Sequence, residues 1–471
     1  HRDTGEELGD IDRFALRGRA VMDLTERVSV NVNATYTRNQ SDGLGFRLLT
    51  PYPAVGGPTY PADTEWRITG WGISPELAAI AGVDTSAKPF RDNTGWDLSA
   101  IVKADLGNME LTSVTARQWF DRNEFNDWDG TSYHESNVFF YNNIRVTSQE
   151  FRLASTDDGP LSWMVGFHVA DEDVDGGFFT QFRGVANVLN TPYVQSVNAM
   201  GVFTHNSFQV NDRLSLILGL RYEDEERTIT TGGTRQAGAP IPPDLTYDTG
   251  LEEWSGRLGM EYILADDVLF YANVSRGVKS GGFTTYNATS ATPFRPEVVI
   301  AYEAGLKSEF FNRRLRLNGA AFYYDYRDQQ VQGLEYDLTA GRLGKITNVP
   351  KSHITGAELE LAWTIAPGLN LSQHIAYKTG EYDEYFAING AATDAANPVD
   401  GPWTNIISDD RSGERLGFPR LTYGGSLSYD WSVSGWDFRA ESNWSYRDDL
   451  YSVTTASIID AYWLANANFS F

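Results

Sequence analysis

Ile459-Asp460-Ala461-Tyr462-Trp463-Leu464-Ala465-Asn466-Ala467-Asn468-Phe469-Ser470-Phe471 alternates apolar and polar side chains up to a terminal phenylalanine. Such period-2 alternation marks a strand with two unlike faces. Ile459, Ala461, Trp463, Ala465, Ala467, Phe469 and Phe471 fall on one face, and Asp460, Asn466, Asn468 and Ser470 on the other. A free carboxylate beside an aromatic pair is a poor end for a buried core. In a membrane barrel the same strand gives one face to lipid and the other to a wet lumen, with aromatics at the interface.

The pattern recurs along the chain with its apolar face kept on one side. Val28, Val30, Val32, Ala34 and Tyr36 oppose Ser29, Asn31, Asn33, Thr35 and Thr37. Leu214, Leu216, Leu218, Leu220 and Tyr222 oppose Ser215, Arg221 and Glu223, and Trp436, Phe438, Ala440, Trp444 and Tyr446 oppose Asp437, Arg439, Glu441, Asn443 and Arg447. A soluble β-sandwich also alternates. Length separates the two, since these segments are long enough for the roughly 9–11 residues that a tilted strand needs to cross a bilayer, while strands of globular proteins run about 5–6.

Composition fits a wall that is apolar on one face. Aromatic residues make 13% of the 471, Gly occurs 44 times, and nothing reads as an interdomain linker, so residues 1–471 form one domain. No run of about 18 apolar residues occurs, which excludes a membrane helix. The absence of cysteine excludes disulfides, a zinc ribbon and a thiol nucleophile. A net charge of −25 argues against a nucleic-acid partner.

Short and long connections take turns. Tight links fall near Leu24-Thr25-Glu26, Gly107-Asn108, Asp157-Asp158-Gly159-Pro160, Asn211-Asp212, Asp266-Asp267, Asn312-Arg313, Pro367-Gly368 and Ser434-Gly435. Between them lie longer polar stretches at 40–93, 121–142, 176–193, 230–250, 328–348 and 382–417. Short turns on one rim and long loops on the other are the habit of outer-membrane barrels, the short rim facing the periplasm. The expectation is an all-β, transmembrane antiparallel β-barrel with about seventeen strands present, from near Asp12 to Phe471. First and last strands both descend, so the odd count implies further N-terminal strands, and a start at His1 without a signal peptide agrees.

Several segments, taken in order, resemble those of TonB-dependent outer-membrane receptors. They are Tyr271-Ala272-Asn273-Val274-Ser275-Arg276-Gly277-Val278-Lys279-Ser280-Gly281-Gly282-Phe283, then Arg295-Pro296-Glu297 and Tyr302-Glu303-Ala304-Gly305-Leu306-Lys307-Ser308. Phe322-Tyr323-Tyr324-Asp325-Tyr326, Gln329-Gln330-Val331-Gln332 and Gly356-Ala357-Glu358-Leu359-Glu360 continue the series. Gln149 to Ser155 and Leu218 to Tyr222 match more weakly upstream. The ending resembles the aromatic assembly signal of outer-membrane proteins, which would make Phe469 and Phe471 that signal. The resemblance implies a 22-stranded barrel closed by an N-terminal plug that imports a scarce ligand, by default a ferric siderophore, with energy from the TonB complex. It also implies contact with outer-membrane lipid, lipopolysaccharide and the barrel-assembly machinery. The signal peptide, TonB box, plug and about the first three to five strands are not in this sequence. A passive channel, or an importer of a non-iron nutrient such as glycan or cobalamin, is the alternative; an adhesin or secretion barrel would need a passenger or periplasmic domain.

The outer loops carry the candidate ligand-binding residues Arg47, Tyr52, Trp66, Arg67, Trp71, Trp128 and Tyr133, with Tyr60 beside them. Aromatic and charged side chains on long outer loops suit capture of a ligand too large or too rare to diffuse. The same residues could simply cover the lumen or touch lipopolysaccharide. Acidic runs at Asp171-Glu172-Asp173 with Asp175, Glu223-Asp224-Glu225-Glu226 and Asp409-Asp410 are expected as solvated charge on the outer rim. They lack EF-hand spacing. His168 and His374 should point into the lumen, neither with a ligand at metal spacing. No nucleophile elbow or phosphate loop appears, so neither an enzyme nor a cofactor nor a metal is expected.

Overall fold

Alternation over ten or more residues leaves a strand that must satisfy its backbone laterally, and in the computed structural model each long strand hydrogen-bonds to the next in the chain. The structure describes residues 1–471 except 54–58, 64, 66, 135, 183–187, 237–240, 242, 286–291, 338–340, 398–402 and 453–456. The strands are β1 (Arg13–Thr25), β2 (Val28–Asn39), β3 (Phe90–Asp105), β4 (Met109–Asp127), β5 (Ser136–Ser155) and β6 (Leu161–Phe182). Then come β7 (Leu189–Asn211), β8 (Leu214–Thr231), β9 (Leu245–Ala265), β10 (Val268–Lys279), β11 (Glu297–Phe310) and β12 (Leu315–Asp337). The series ends with β13 (Gly341–Ala366), β14 (Leu369–Glu384), β15 (Leu421–Val433), β16 (Trp436–Arg447) and β17 (Tyr462–Ser470). All sixteen successive pairs are antiparallel. The expected seventeen strands are therefore present. A two-residue strand, Arg235–Gln236, adds to the edge of β7.

The expected tight links all sit on one rim. The first lies one residue further on than expected, at Glu26-Arg27. Ser434 and Gly435 both have positive φ, 55° and 84°, the backbone that matches a two-residue hairpin to the twist of its strands. The opposite rim differs from expectation in one respect. Much of 121–142, 176–193 and 328–348 is not loop, because β4 to β7 and the hairpin of β12 and β13 run on as strand. β13 alone is 26 residues long, more than twice what a bilayer needs, so the wall continues above the membrane.

Register rows show which face meets lipid. Val30 stands opposite Val102, Tyr36 opposite Trp96, and Leu218 opposite Leu258. The last two are 51% and 64% exposed, large apolar side chains with no protein over them. The row above Ala272, Ala304, Ala321 and Ala357 reads Val274, Tyr302, Tyr323 and Thr355, an aromatic girdle at one level. The other face carries Lys103, Arg221, Glu223, Glu303 and Glu358. His168, opposite Glu150, and His374, opposite Glu360, share it, as the pleat requires. The alternation slips on β4 and β5. There Ser113 and Thr115 share outer rows with Val102 and Ala100, and Gln149 bonds both, its Nε2 donating to Ser113 Oγ at 2.9 Å.

β1 pairs only with β2, and β17 only with β16, among the described residues. Both run toward the tight-turn rim. Among the described residues, hydrophobic cores in the globular sense form only at the outer end. One gathers Ile73, Leu77, Phe125, Phe139 and Val188, and the other Val349, Tyr382, Tyr385 and Leu416.

Candidate ligand mouth

The connection from β2 to β3 folds back over the outer ends of β4 and β5. Its helix α1 (Pro75–Ala81) begins at Ser74, whose Oγ accepts from Leu77 N at 3.1 Å, and stops at Gly82 with φ 69°. Ser74 satisfies an orphan amide, and Gly82 supplies the left-handed stop. The helix seats Leu77 and Ala78 under Phe125 and Phe139.

Buried carboxylates pin this connection. Asp127 accepts from Gly72 N at 2.9 Å and Gly130 N at 2.8 Å. Burial first, and then the charge of Asp129, push the Asp127 carboxyl well above its ordinary range, with the backbone amides pulling the other way. Asp63 takes Arg2 Nη2 at 2.7 Å and Leu48 N at 2.8 Å. The sequence offered no sign of these pins, because each joins segments that meet only on folding.

Of the candidate residues, Tyr52 faces Tyr60 across a short strand pair, and the Tyr60 ring lies 5.0 Å from that of Tyr133. The Arg2 guanidinium sits 5.2 Å over Tyr60. Arg47 and Arg67 are exposed nearby in sequence, Arg47 donating to Asp63 O at 3.4 Å. Trp71 is 5% exposed and packs edge-on against His1 at 4.2 Å, so it holds the segment rather than offering a face. Trp66 lies outside the described residues. The acidic runs also divide: Asp171 to Asp175 and Glu223 to Glu226 sit within β6 and β8, where neighbours point to opposite faces. Glu223 and Glu225 pair with Arg221 and Arg227 at 2.9 Å.

On the face of β4 to β6 opposite to the one α1 packs on, the lumen side by register, lies an aromatic and cationic group. The ring of Trp128 lies 6.2 Å from Phe140, Phe140 lies 6.1 Å from Phe178, and the Arg122 guanidinium stands 4.6 Å over Phe140. Arg122 also meets Glu124 at 2.7 Å. Burial works against the Glu124 charge, but hydrogen bonds from Arg122 and Asn93 outweigh it and hold the carboxyl below its ordinary range. Arg122, Phe140 and Phe178 escaped sequence reading because their strands alternate imperfectly there.

The motif residues form a second constellation. Gly282 and Phe294 bridge as a two-residue ladder, and Gln330 Nε2 donates to Ser280 O at 2.8 Å and Arg295 O at 3.2 Å. Ser280 Oγ donates to Glu225 at 3.0 Å, and Gln330 N to Glu297 at 2.6 Å. A clasp thus ties β8, β10, β11 and β12 where the wall leaves the membrane. Its side chains are engaged with one another, which suits holding backbone in place; the aromatic and cationic surface suits stacking against a planar or anionic ligand.

Residues 11–471 match the family model described as TonB dependent receptor-like, beta-barrel. A pesticin receptor of Yersinia enterocolitica is 26% identical over 191 residues, 39% of this chain and 27% of that protein. The ferric yersiniabactin uptake receptor of Yersinia pestis superposes with a TM-score of 0.72 at 16% identity, covering 98% of this chain and 62% of that one. A siderophore receptor of Acinetobacter baumannii gives 0.72 at 15% identity, covering 98% and 68%. The chain therefore spans less than two thirds of the Yersinia pestis receptor's length.

Proposed function

Since the chain belongs to the TonB dependent receptor-like β-barrel family and so to the outer membrane, we propose that it forms the wall and outer mouth of an active uptake receptor for a scarce chelate, a ferric siderophore first among them. The observation that carries this reading is the Arg122, Phe140, Phe178 and Trp128 group on the lumen face at the outer end of the wall. Flat aromatic faces with a guanidinium among them fit a bulky, anionic, partly aromatic chelate, and a plain pore has no use for them. The names of the two solved relatives, a ferric yersiniabactin uptake receptor and a siderophore receptor, point the same way.

In this reading energy comes through TonB, by way of a plug supplied outside this stretch. Both edge strands descend, so antiparallel closure takes an odd number of further strands. Five would bring the seventeen to the 22 of plugged outer-membrane transporters. The family is one of receptors and transporters, and the chain is read as non-catalytic.

Growth and uptake of iron-loaded siderophore by the source cells, with the full-length gene deleted, test the reading under iron limitation and after iron is restored. A defect confined to iron-poor medium is expected. Growth indifferent to iron would overturn the siderophore assignment and move the cargo toward glycan, cobalamin or another organic nutrient.

A further inference from the structure

On the outer surface of the wall, just above the Tyr302 and Tyr323 girdle, one register row across β12, β13 and β14 reads Asp325, His353 and Glu381. Residues directly opposite in antiparallel strands share a face with Cβ atoms about 4.5–5.5 Å apart. His353 is therefore flanked by a carboxylate on either side. Asp383, two residues beyond Glu381, leans back so that its Oδ1 lies 2.8 Å from His353 Nδ1. One ligand atom each from His353, Glu381 and Asp383 lie within 4.8 Å of one another, and among the described residues this is the one such group of three.

From this geometry we infer that His353, Glu381 and Asp383 form a binding site for a divalent late transition cation, for which Zn²⁺ is the probe. Zinc bonds of about 2.0–2.2 Å to nitrogen and oxygen set ligand atoms roughly 3.4 Å apart in a tetrahedron. The three ligand atoms, within 4.8 Å of one another, would close to that spacing on binding, with the metal replacing the His353–Asp383 hydrogen bond. An imidazole among the ligands favours zinc, copper or nickel over calcium or magnesium. Two further observations fit. Asp383 Oδ2 and Asp325 Oδ1 are shielded from solvent yet accept no hydrogen bond among the described residues, so acceptor capacity is left for a metal and for its bound water. The Tyr323 ring stacks on His353 at 5.9 Å and 25°, fixing the imidazole plane. Lys351 and Arg327, at 3.9 Å from Asp383 and 3.1 Å from Asp325, keep the surrounding charge from accumulating. The site lies on the opposite face of the wall from the lumen, so it stands apart from the uptake reading.

The test is Zn²⁺ titration of the purified full-length receptor in detergent, by competition with a chromophoric chelator. His353→Ala, Glu381→Gln, Asp383→Asn and, as control, lumen-facing His374→Ala are compared, with folding checked by heat-modifiable gel migration. The expected result is a high-affinity site lost or weakened at least tenfold in each of the first three and unchanged in the control. Co²⁺ in place of zinc should show visible d–d bands that His353→Ala abolishes. The two isosteric amide variants keep the test alive if His353→Ala misfolds. Zinc affinity indifferent to these substitutions, or calcium displacing zinc at equal concentration, would overturn the site; iron-dependent growth would be unaffected by either outcome.

Discussion

Leu218 offers the sharpest probe of which face meets lipid. It lies four residues above Leu214 at the start of β8, and at about 3.4 Å per residue with a tilt of about 40° that puts it roughly 10 Å above the tight-turn rim. The apolar band of such barrels is about 25 Å tall, so Leu218 sits close to its middle. Its row partner Leu258 is likewise uncovered, and no protein group stands ready to receive a charge there. Leu218→Arg should therefore cost about 2–4 kcal/mol, which is roughly 30- to 700-fold in the folded-to-unfolded ratio. Ser207, opposite Ile217 on the lumen face of β7, lies at a similar depth and makes the control. Ser207→Arg should change stability by under about 1 kcal/mol, because its side chain emerges into water. Urea titration of the full-length receptor in lipid vesicles, read by heat-modifiable migration, measures both. Equal costs at the two positions would refute the assignment of faces, whatever the absolute values.

Other outcomes follow from the clasp, the pins and the terminus. A Cβ on Gly281 would overlap the Phe294 carbonyl oxygen, so Gly281→Ala should open the Gly282–Phe294 ladder and destabilise by about 1–3 kcal/mol, seen as faster amide exchange from Ser280 to Phe283. Asp127 has its folded pKa raised above the unfolded one, so protonation favours the folded state. Docking of the 40–89 connection should strengthen as pH falls from neutral toward the ordinary carboxylate range and then level off. Limited proteolysis against pH reads this, and a connection that loosens on acidification would contradict it. Arg122→Ala should weaken binding of a ferric chelate by at least tenfold if the mouth is the capture site, while leaving the urea midpoint nearly unchanged. Phe471 is 79% exposed, its ring 6.4 Å from that of Trp436 and 6.5 Å from that of Phe469. Phe471→Ser should leave unfolding stability within about 0.5 kcal/mol yet lower the amount of receptor reaching the outer membrane, measured by fractionation.

The wall was legible in the chain because its rule is local. A strand between lipid and water must alternate, and the residues from Val28 to Tyr36, Leu214 to Tyr222 and Trp436 to Tyr446 do so without reference to anything distant. Turn chemistry at Asp266-Asp267, Pro367-Gly368 and Ser434-Gly435 is equally local, so strand number and rim assignment came with it. The outer end obeys another rule. There the strands leave the bilayer, the lipid constraint lapses, and alternation no longer separates strand from loop; this is why Asp121 to Asp127 and the ends of β12 and β13 read as loop yet continue the wall. The mouth was half legible for a related reason. Tyr52, Tyr133 and Trp128 announce themselves as aromatics in polar surroundings, but whether an aromatic is offered or buried depends on what folds over it, and Trp71 ends up beneath His1.

What the sequence by itself determined, then, is a one-faced strand repeated seventeen times with alternating short and long links, since period, turn residues and length are properties of neighbours along the chain. Only the tertiary structure decided which side chains meet. Arg122 over Phe140, Gln330 on Ser280 and His353 between Asp325 and Glu381 are set by cross-strand register, and register joins residues tens of positions apart, whose meeting no local pattern records.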